Sequence, residues 1–266
     1  MNHKISYITL LSTPNYLNGV IVLFKSLRQY SKMPFHCICS KSLPQNCIER
    51  LKREGIDTLK LTETAFEKGQ ITPPHAIVGL EHWNYTFDKL LLWGLVQFDK
   101  LVFLDSDMMI CSNIDELFEK ENMSAVQAGR FIFDHWIRLN SGCFVFTPNE
   151  DIMISMINLI ESTIVERSAL GFGTGDQDVI NKYYSNWPNE EQLHLSEAYN
   201  VFFMNIPNYK KVGLPSPKIV HFVGNMKPWM KTSIISEIWT IAKMSFRHKE
   251  CLPYYFTYKK YLHKIK

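Results

Sequence analysis

The first hundred residues alternate between two spacings of apolar side chains. Short apolar, β-branched runs predict buried strands at residues 5–11, 36–39, 57–61 and 100–104. Apolar residues at helical spacing predict helices between them, at residues 16–30, 44–52 and 90–98. Pro44 and Gly55 are typical of the start and the end of the second helix. This alternation predicts an α/β fold with a mainly parallel sheet flanked by helices on both faces.

The second half of the chain mixes both patterns, and no linker separates it from the first half. Strands are predicted at residues 143–146 and 218–222. Helices are predicted at residues 152–165, 176–183 and 233–244. Residues 62–82 are irregular. We therefore predict a catalytic domain at residues 1–230, followed by a C-terminal helix and a basic aromatic tail at residues 231–266 that packs on it or extends from it.

Polar residues directly follow the most apolar of the predicted strands. In parallel sheets, ligands bind at the carboxyl ends of the strands, where this chain has Asp105, Ser106 and Asp107. Two carboxylates two residues apart on an extended chain point to the same side. Their charges repel unless a cation lies between them, and divalent cations combine carboxylate oxygens with diphosphate oxygens or water. A turn with two solvated aspartates is the alternative.

A second candidate group ends the predicted strand at residues 218–222. His221 is followed by Gly224, which permits close backbone approach to a ligand, and by Lys227, a point charge suited to phosphate. A lone histidine on an apolar strand is otherwise usually a core residue. Two carboxylates with a neutral imidazole suit Mn²⁺ better than Mg²⁺, which prefers oxygen ligands and retains its waters. Together these residues indicate a diphosphate site.

The composition and charge of the chain indicate the class of protein and the compartment to which this site belongs. The hydrophobic share of 46% predicts a globular protein with a substantial core. The chain has no apolar run long enough to span a membrane, no signal-peptide core and no C-x-x-C pair among its six cysteines, so we predict a reduced, cytoplasmic protein without a nucleic-acid partner. From Lys231 onward, eight Lys or Arg residues face only two Glu residues. The aromatic, lysine-rich tail at 252–266 has two interpretations. In the one that we prefer, it packs on the domain; in the other, it makes peripheral contact with an anionic membrane or a glycan.

Several motifs, in this order along the chain, resemble the glycogenin-like branch of glycosyltransferase family 8. They lie at residues 9–19, 89–93, 102–107, 113–118, 140–142, 175–177 and 221–229. The His-x-x-Gly-x-x-Lys-Pro-Trp element at 221–229 is highly specific. The resemblance implies a single-domain, Rossmann-like fold of the glycosyltransferase A type, a UDP-sugar donor and retention of anomeric configuration.

The resemblance also implies a role for each matching position. The implied metal ligands are Asp105, Asp107 and His221. The residues implied to hold the uridine and ribose are Leu10, Ser12, Tyr16 and Ser106. Those implied to line the sugar pocket are Asn140, Ser141 and Gly142, and those implied to clamp the diphosphate are Gly224 and Lys227. The catalytic candidates, beside the reacting sugar, are Lys89, Asp176 and Gln177.

Two questions about the reaction stay open in the sequence. Asp176 either forms a covalent intermediate with the sugar or lies beside a same-face attack in which the leaving phosphate acts as base. Asp176 is also of the residue type that caps a helix starting at Gln177. The chain has Gly173 where glycogenin-like enzymes often carry an acidic residue, which leaves the donor sugar open.

The sequence thus predicts Mn²⁺-dependent, retaining transfer of a hexose from a UDP-sugar to a saccharide or polyol acceptor. Glucose is the first choice for the donor sugar, with N-acetylglucosamine, galactose or glucuronic acid next. A homodimer is also among the predicted partners of the chain. One alternative is a non-catalytic protein that binds a nucleotide sugar. Another is a phosphatase with an aspartate nucleophile, which would have no use for the element at 221–229.

Overall fold

The computed structural model of the protein describes residues 4–72, 81–127, 137–224, 227–230 and 233–265, with the side chains of 81–84 and 234 left aside. Part of the irregular stretch at 62–82 lies outside the described residues, as do Asn225 and Met226 of the 221–229 element and both ends of the basic tail, Lys231 and Lys266.

The apolar runs of the first half form the central sheet. The strands of the structure are β1 (Ile5–Leu11), β2 (Phe35–Cys39), β3 (Asp57–Lys60), β4 (Lys100–Leu104), β5 (Met108–Ile110), β6 (Ala125–Gln127), β7 (Leu139–Phe146), β8 (Val201–Phe202) and β9 (Ile219–His221). Six of them form one sheet in the order β3-β2-β1-β4-β7-β6. β1 pairs in parallel with β2 and β4, and β2 pairs in parallel with β3. β7 runs antiparallel to both of its neighbours, β4 and β6. The prediction of a mainly parallel sheet is confirmed.

Helices cover both faces of this sheet. They are α1 (Leu17–Leu27), α2 (Gln45–Arg53), α3 (Ala65–Gly69), α4 (Glu150–Asn158), α5 (Ile160–Ala169), α6 (Asp176–Tyr183), α7 (Ile206–Lys211), α8 (Ile234–Arg247) and α9 (Leu252–His263). Neighbouring side chains of β1 point to opposite faces, so Tyr7 packs with α1 and α2 while Ile8 packs with α4 and α6. None of the described helices combines the length and the apolar character that a membrane crossing requires.

Two helix predictions differ from the structure. The segment predicted as a helix at 90–98 is a 3-10 helix at Glu81–Gly94, and the residues at 95–98 form turns. Its buried Phe87, Leu90 and Trp93 are three residues apart, the spacing that aligns side chains on a 3-10 helix. The helix predicted at 152–165 is divided at Leu159 into α4 and α5. The hydroxyls of Ser162 and Thr163 donate to the Leu159 carbonyl and so compete with the backbone at this point.

A second, smaller sheet brings the two candidate motifs together. It has the order β5-β9-β8, and β5 begins directly after the Asp105–Asp107 turn. The antiparallel pairing of β5 with β9 places Met108 opposite His221. The Phe222 N–H donates to the carbonyl of Asp107 at 2.9 Å. This pairing fixes His221 beside the turn although more than a hundred residues separate them in sequence.

The C-terminal segment packs its tyrosines inward. Tyr258 of α9 is fully buried, with its ring centroid 4.7 Å from that of Phe222 and 5.9 Å from that of Trp229. Tyr255 is also buried and hydrogen-bonds Glu237 of α8. The tyrosines of the tail therefore join a core cluster with the second sheet, while Phe256 is exposed. The boundary at residues 230 and 231 stays a prediction.

Candidate active site

A cleft of about 530 Å³ opens at the carboxyl ends of β1 and β4. It is lined by every sequence-predicted site residue except Lys227, namely Leu10, Ser12, Tyr16, Lys89, Asp105, Ser106, Asp107, Asn140, Ser141, Gly142, Asp176, Gln177, His221 and Gly224. The edge of a parallel sheet at which ligands bind is thus where the candidate residues gather.

Three side chains converge at the bottom of this cleft. His221 Nε2 lies 2.9 Å from Asp107 Oδ1 and 3.8 Å from Asp105 Oδ2. One ligand atom from each of the three residues lies within 4.8 Å of the others. Two carboxylates and an imidazole at this separation form a donor set that fits one divalent cation.

Asn200 determines which nitrogen of His221 faces the carboxylates. Asn200 Nδ2 donates to Asn140 Oδ1 at 2.7 Å, so its Oδ1, 2.8 Å from His221 Nδ1, accepts the hydrogen bond from the imidazole. A neutral imidazole that donates from Nδ1 carries its lone pair on Nε2. At 2.9 Å, Nε2 of a protonated ring donates to Asp107 Oδ1, whereas in the neutral ring both atoms are acceptors and suit a cation between them.

A buried lysine stands behind each aspartate. Lys89 Nζ lies 3.1 Å from Asp105 Oδ1 and 2.8 Å from Asp176 Oδ2. Lys227 Nζ lies 2.5 Å from Asp107 Oδ2. Each aspartate therefore gives one oxygen to a lysine and turns the other toward His221. Lys227 contacts the site through Asp107 and does not itself line the cleft.

The two aspartates differ in their acidity. Burial raises the pKa of Asp107, but His221 and Lys227 outweigh burial and hold that pKa well below its usual range. Burial raises the pKa of Asp105 above its usual range, against the opposing effects of Lys89 and His221. For Lys89, burial lowers the pKa, but Asp105 and Asp176 more than reverse this, so the lysine stays charged. Asp107 is accordingly the more strongly ionised of the two candidate metal ligands.

Gly142 gives the three candidate ligands room to meet. A Cβ atom at this position would lie 2.9 Å from Asn140 Oδ1 and from His221 Cε1, and 3.0 Å from Asp105 Oδ2. The Gly142 carbonyl also accepts the Asp105 N–H at 2.8 Å. Glycine is therefore required by the close approach of the neighbouring groups.

Replacing Gly142 with alanine is expected to weaken Mn²⁺ binding about 10- to 100-fold, the effect typical of disturbing groups that orient metal ligands. The added methyl group must displace His221 or Asp105. Calorimetric titration with Mn²⁺ measures the change. Gly175→Ala is the matched control, because its Cβ would meet only Thr86 Oγ1, at 3.2 Å, and should leave the metal affinity unchanged. Equal Mn²⁺ affinities for the two variants would contradict the role given to Gly142.

The side of the cleft that the resemblance assigns to nucleotide binding is formed at the carboxyl end of β1 and by the residues directly after it. Ser12 donates from its hydroxyl to the Tyr85 carbonyl at 3.3 Å, and Tyr16 packs edge-on against Trp229 with ring centroids 5.7 Å apart. A Cβ on Gly19 would lie 2.5 Å from the Ser106 carbonyl oxygen, so this glycine lets α1 approach the aspartate turn. One face of the cleft thereby combines an aromatic ring with backbone groups.

The opposite wall holds the catalytic candidates. The buried Asp176 accepts hydrogen bonds from Ser141 Oγ at 2.7 Å and from Lys89, and Gln177 Oε1 accepts the Ser141 N–H at 3.1 Å. The N-cap of α6 is Gly175, so the interpretation of Asp176 as the cap is wrong. Asp178, the third residue of the helix, supports this start, since its carboxylate accepts the N–H of Gly175 at 3.1 Å. The Asp176 carboxylate is thus directed to the cleft.

Sequence reasoning missed several residues of the cleft. Asn200 belongs to no recognisable motif, and its contact with His221 depends on the second sheet. Arg138, Arg167 and Asp178 also line the cleft. Arg138 and Asp178 lie within two residues of predicted site positions, and that adjacency was the available signal.

Comparisons with known proteins agree with this geometry. The family model for Glycosyl transferase family 8 matches residues 7–233. Glycogenin-1 of Caenorhabditis elegans is 32% identical to this chain over an alignment of 232 residues. The alignment covers 84% of this chain and 50% of that protein, so the chain spans about half the length of this relative. The solved glycosyltransferase GlyE of Streptococcus pneumoniae TIGR4 superposes with a TM-score of 0.60 at 18% identity, covering 99% of this chain and 63% of that one.

A second solved structure, the galactosyltransferase LgtC in complex with donor and acceptor sugar analogs, superposes with a TM-score of 0.57 at 15% identity, covering 88% of this chain and 94% of that one. These superpositions establish the glycosyltransferase A type fold. Since the family model spans most of the sequence, the chain belongs to glycosyltransferase family 8.

Proposed function

We propose that the protein transfers a hexosyl group, with glucose as the first choice, from a UDP-sugar to a saccharide or polyol acceptor, with Mn²⁺ and with retention of configuration. The observation that carries the proposal is the convergence of Asp105, Asp107 and His221 within 4.8 Å in a cleft of the family's fold. When bound, a divalent ion supplies positive charge against the diphosphate as the bond to the sugar breaks.

The residues of the chain divide the remaining work. Tyr16 offers an aromatic face to the uracil, and Asp105, Asp107 and His221 hold the ion. Gln177 orients the Ser141 backbone, and Ser141 in turn orients Asp176. The Asp176 carboxylate stabilises positive charge that develops on the sugar, and its contact with Lys89 holds it in place. In same-face attack, the acceptor oxygen bonds the anomeric carbon as the bond to the phosphate breaks, and its proton passes to that phosphate. If Asp176 bonds the sugar first and expels UDP, the acceptor oxygen then displaces the Asp176 carboxylate, and its proton passes to the phosphate of UDP.

A panel of UDP-sugars tests the proposal. UDP release is measured for each sugar with Mn²⁺, with Mg²⁺ and with a chelator. We expect release with at least one sugar, faster with Mn²⁺ than with Mg²⁺ and absent with the chelator. Binding of UDP-sugars without any release would favour the alternative, a non-catalytic nucleotide-sugar-binding protein.

The sequence leaves open a peripheral membrane contact of the tail at residues 252–266, and we propose that α8, which precedes this tail, makes such a contact. Four large apolar residues on one stripe of this helix are exposed, namely Ile235, Ile238, Trp239 and Phe246. Phe246 is 90% exposed and Trp239 is 72% exposed. Lys243 and Arg247 are also exposed, and no described residue forms an ion pair with either. An apolar stripe with basic neighbours complements an anionic lipid surface.

Vesicle sedimentation tests this contact. We expect binding to vesicles that contain phosphatidylserine, at least 10-fold weaker in the double variant Trp239→Ser with Phe246→Ser. Leu170→Ser is the control, because Leu170 is 70% exposed but lies away from α8. Equal binding by the double variant and the control would contradict the proposal. The proposal would also be contradicted if the apolar stripe of α8 instead joined two copies of the chain in solution. A homodimer and a cytoplasmic location stay predictions.

A further inference from the structure

Two arginines reach the cleft next to the proposed sugar site. Arg138 directly precedes β7, the strand of Asn140 and Ser141. Arg167 lies near the end of α5. Both line the cleft together with Asp178, which stands two residues after Asp176 on α6. The cluster of Arg138, Arg167 and Asp178, here named the arginine cluster, therefore combines the residue before β7 with α5 and α6, and it shares α6 with the catalytic candidates Asp176 and Gln177.

The contacts within the arginine cluster leave guanidinium donors unused. Arg167 Nε donates to the Gly173 carbonyl at 3.2 Å and lies 3.3 Å from Asp178 Oδ1. Arg138 Nη1 lies 3.8 Å from the same Oδ1, which is beyond hydrogen-bonding distance. Within the described part of the chain, the Nη groups of Arg167 and the whole Arg138 guanidinium have no hydrogen-bond acceptor. The pairs of parallel donors that suit a carboxylate remain available.

The charges of the arginine cluster do not cancel. Two guanidinium groups, each with one positive charge, share one carboxylate. Asp178 also spends its other oxygen on the Gly175 N–H. The side chains of Arg138 and Arg167 are 38% and 26% exposed, so both are half-open to the cleft and still partly desolvated. One surplus positive charge is left for a ligand.

We propose that the arginine cluster recognises a single carboxylate of a substrate, as carried by a uronic acid. This inference rests on the proposed function and names its substrate class further. The carboxylate belongs either to the transferred sugar or to the acceptor, and both sources use the same two arginines. A site built on paired charges discriminates strongly, because a neutral sugar leaves the guanidinium groups without a partner.

Matched neutral and anionic probes separate the two sources. For the donor, calorimetry compares UDP-glucuronate with UDP-glucose in the presence of Mn²⁺. For the acceptor, transfer from the active UDP-sugar to methyl glucuronide is compared with transfer to methyl glucoside. We expect at least a 10-fold preference for the anionic member of one pair. Equal preference within both pairs would overturn the proposal.

Substitutions in the cluster should change this preference in opposite directions. Arg138→Gln and Arg167→Gln are expected to lower the anionic-to-neutral ratio at least 10-fold, whereas Asp178→Asn should raise it, because a competing carboxylate is lost. Asn can still accept the Gly175 N–H, so the start of α6 is kept. Lys182→Gln is the control, since Lys182 pairs with Glu166 outside the cleft.

A purely structural role would give a different result. If the arginines only tie α5 to α6, the three variants lower the melting temperature and affect neutral and anionic probes alike, which would overturn the proposal. Arg167→Lys keeps the charge and should retain most of the preference even where Arg167→Gln folds poorly. Calorimetry needs no turnover, so a protein that prefers UDP-glucuronate but releases no UDP would contradict the proposed function while supporting the arginine cluster.

Discussion

Replacing Asp107 with alanine should lower metal-dependent UDP release by a factor of about 10³ or more, the scale of losing a preorganised electrostatic group at a reacting centre. Asp107 faces His221 with one oxygen and Lys227 with the other. Its loss removes a metal ligand and leaves the positive charge of the buried Lys227 without its carboxylate partner, so that Lys227 repels a cation. UDP release at saturating Mn²⁺ measures the effect.

The same substitution also tests whether the loss is local. Lys227 keeps a hydrogen bond to the Phe222 carbonyl at 2.7 Å, so we expect the fold to persist with a lowered melting temperature. Asp107→Asn keeps the shape of the side chain and should be equally inactive. Asp57→Ala, at an exposed position of β3, is the control and should release UDP at the original rate. Normal activity in either Asp107 variant would contradict the assignment of the metal site.

Replacing Asp176 with asparagine should lower kcat by a factor of about 10² to 10⁴ while changing the donor Kd only a few-fold, because a group that acts mainly on the transition state contributes little to ground-state binding. The carboxylate is buried and held by Ser141 Oγ and Lys89 Nζ. Asparagine retains the size of the side chain but loses the charge that faces the sugar.

Steady-state kinetics with calorimetric donor binding separates these effects. Asp151→Asn, in the first turn of α4 on the surface, is the control for removing one carboxylate and should match the original protein. A donor Kd that weakens while kcat at saturating donor stays unchanged would assign Asp176 to sugar binding alone. An unchanged kcat would contradict any part for Asp176 in the reaction.

The sequence predicted those parts of the molecule that depend on local pattern. After Lys100, the strand at Lys100–Leu104 is apolar because it is buried on both faces, and the aspartates follow at its carboxyl end. The strand that ends at His221 and the helix that starts at Asp176 were placed within one residue. Runs of apolar residues and helix-start signals are properties of adjacent residues, so one sequence suffices to find them.

The remaining features depend on contacts between distant parts of the chain. Asn200 meets His221 only because β8 pairs with β9. The cap of α6 could not be chosen by residue type, since Asp176 is drawn into the cleft by Ser141 and Lys89 while Asp178 bonds the backbone. Tertiary partners overrode the local preference at both places, as is common where a site is assembled from several elements.

Anomalous diffraction from crystals grown with UDP and Mn²⁺ tests the metal site most directly. A single manganese peak should lie within bonding distance of Asp105, Asp107 and His221 Nε2, with the diphosphate of UDP completing its coordination. A manganese peak elsewhere in the molecule, or a bound UDP whose diphosphate lies away from these three side chains, would contradict the site described above.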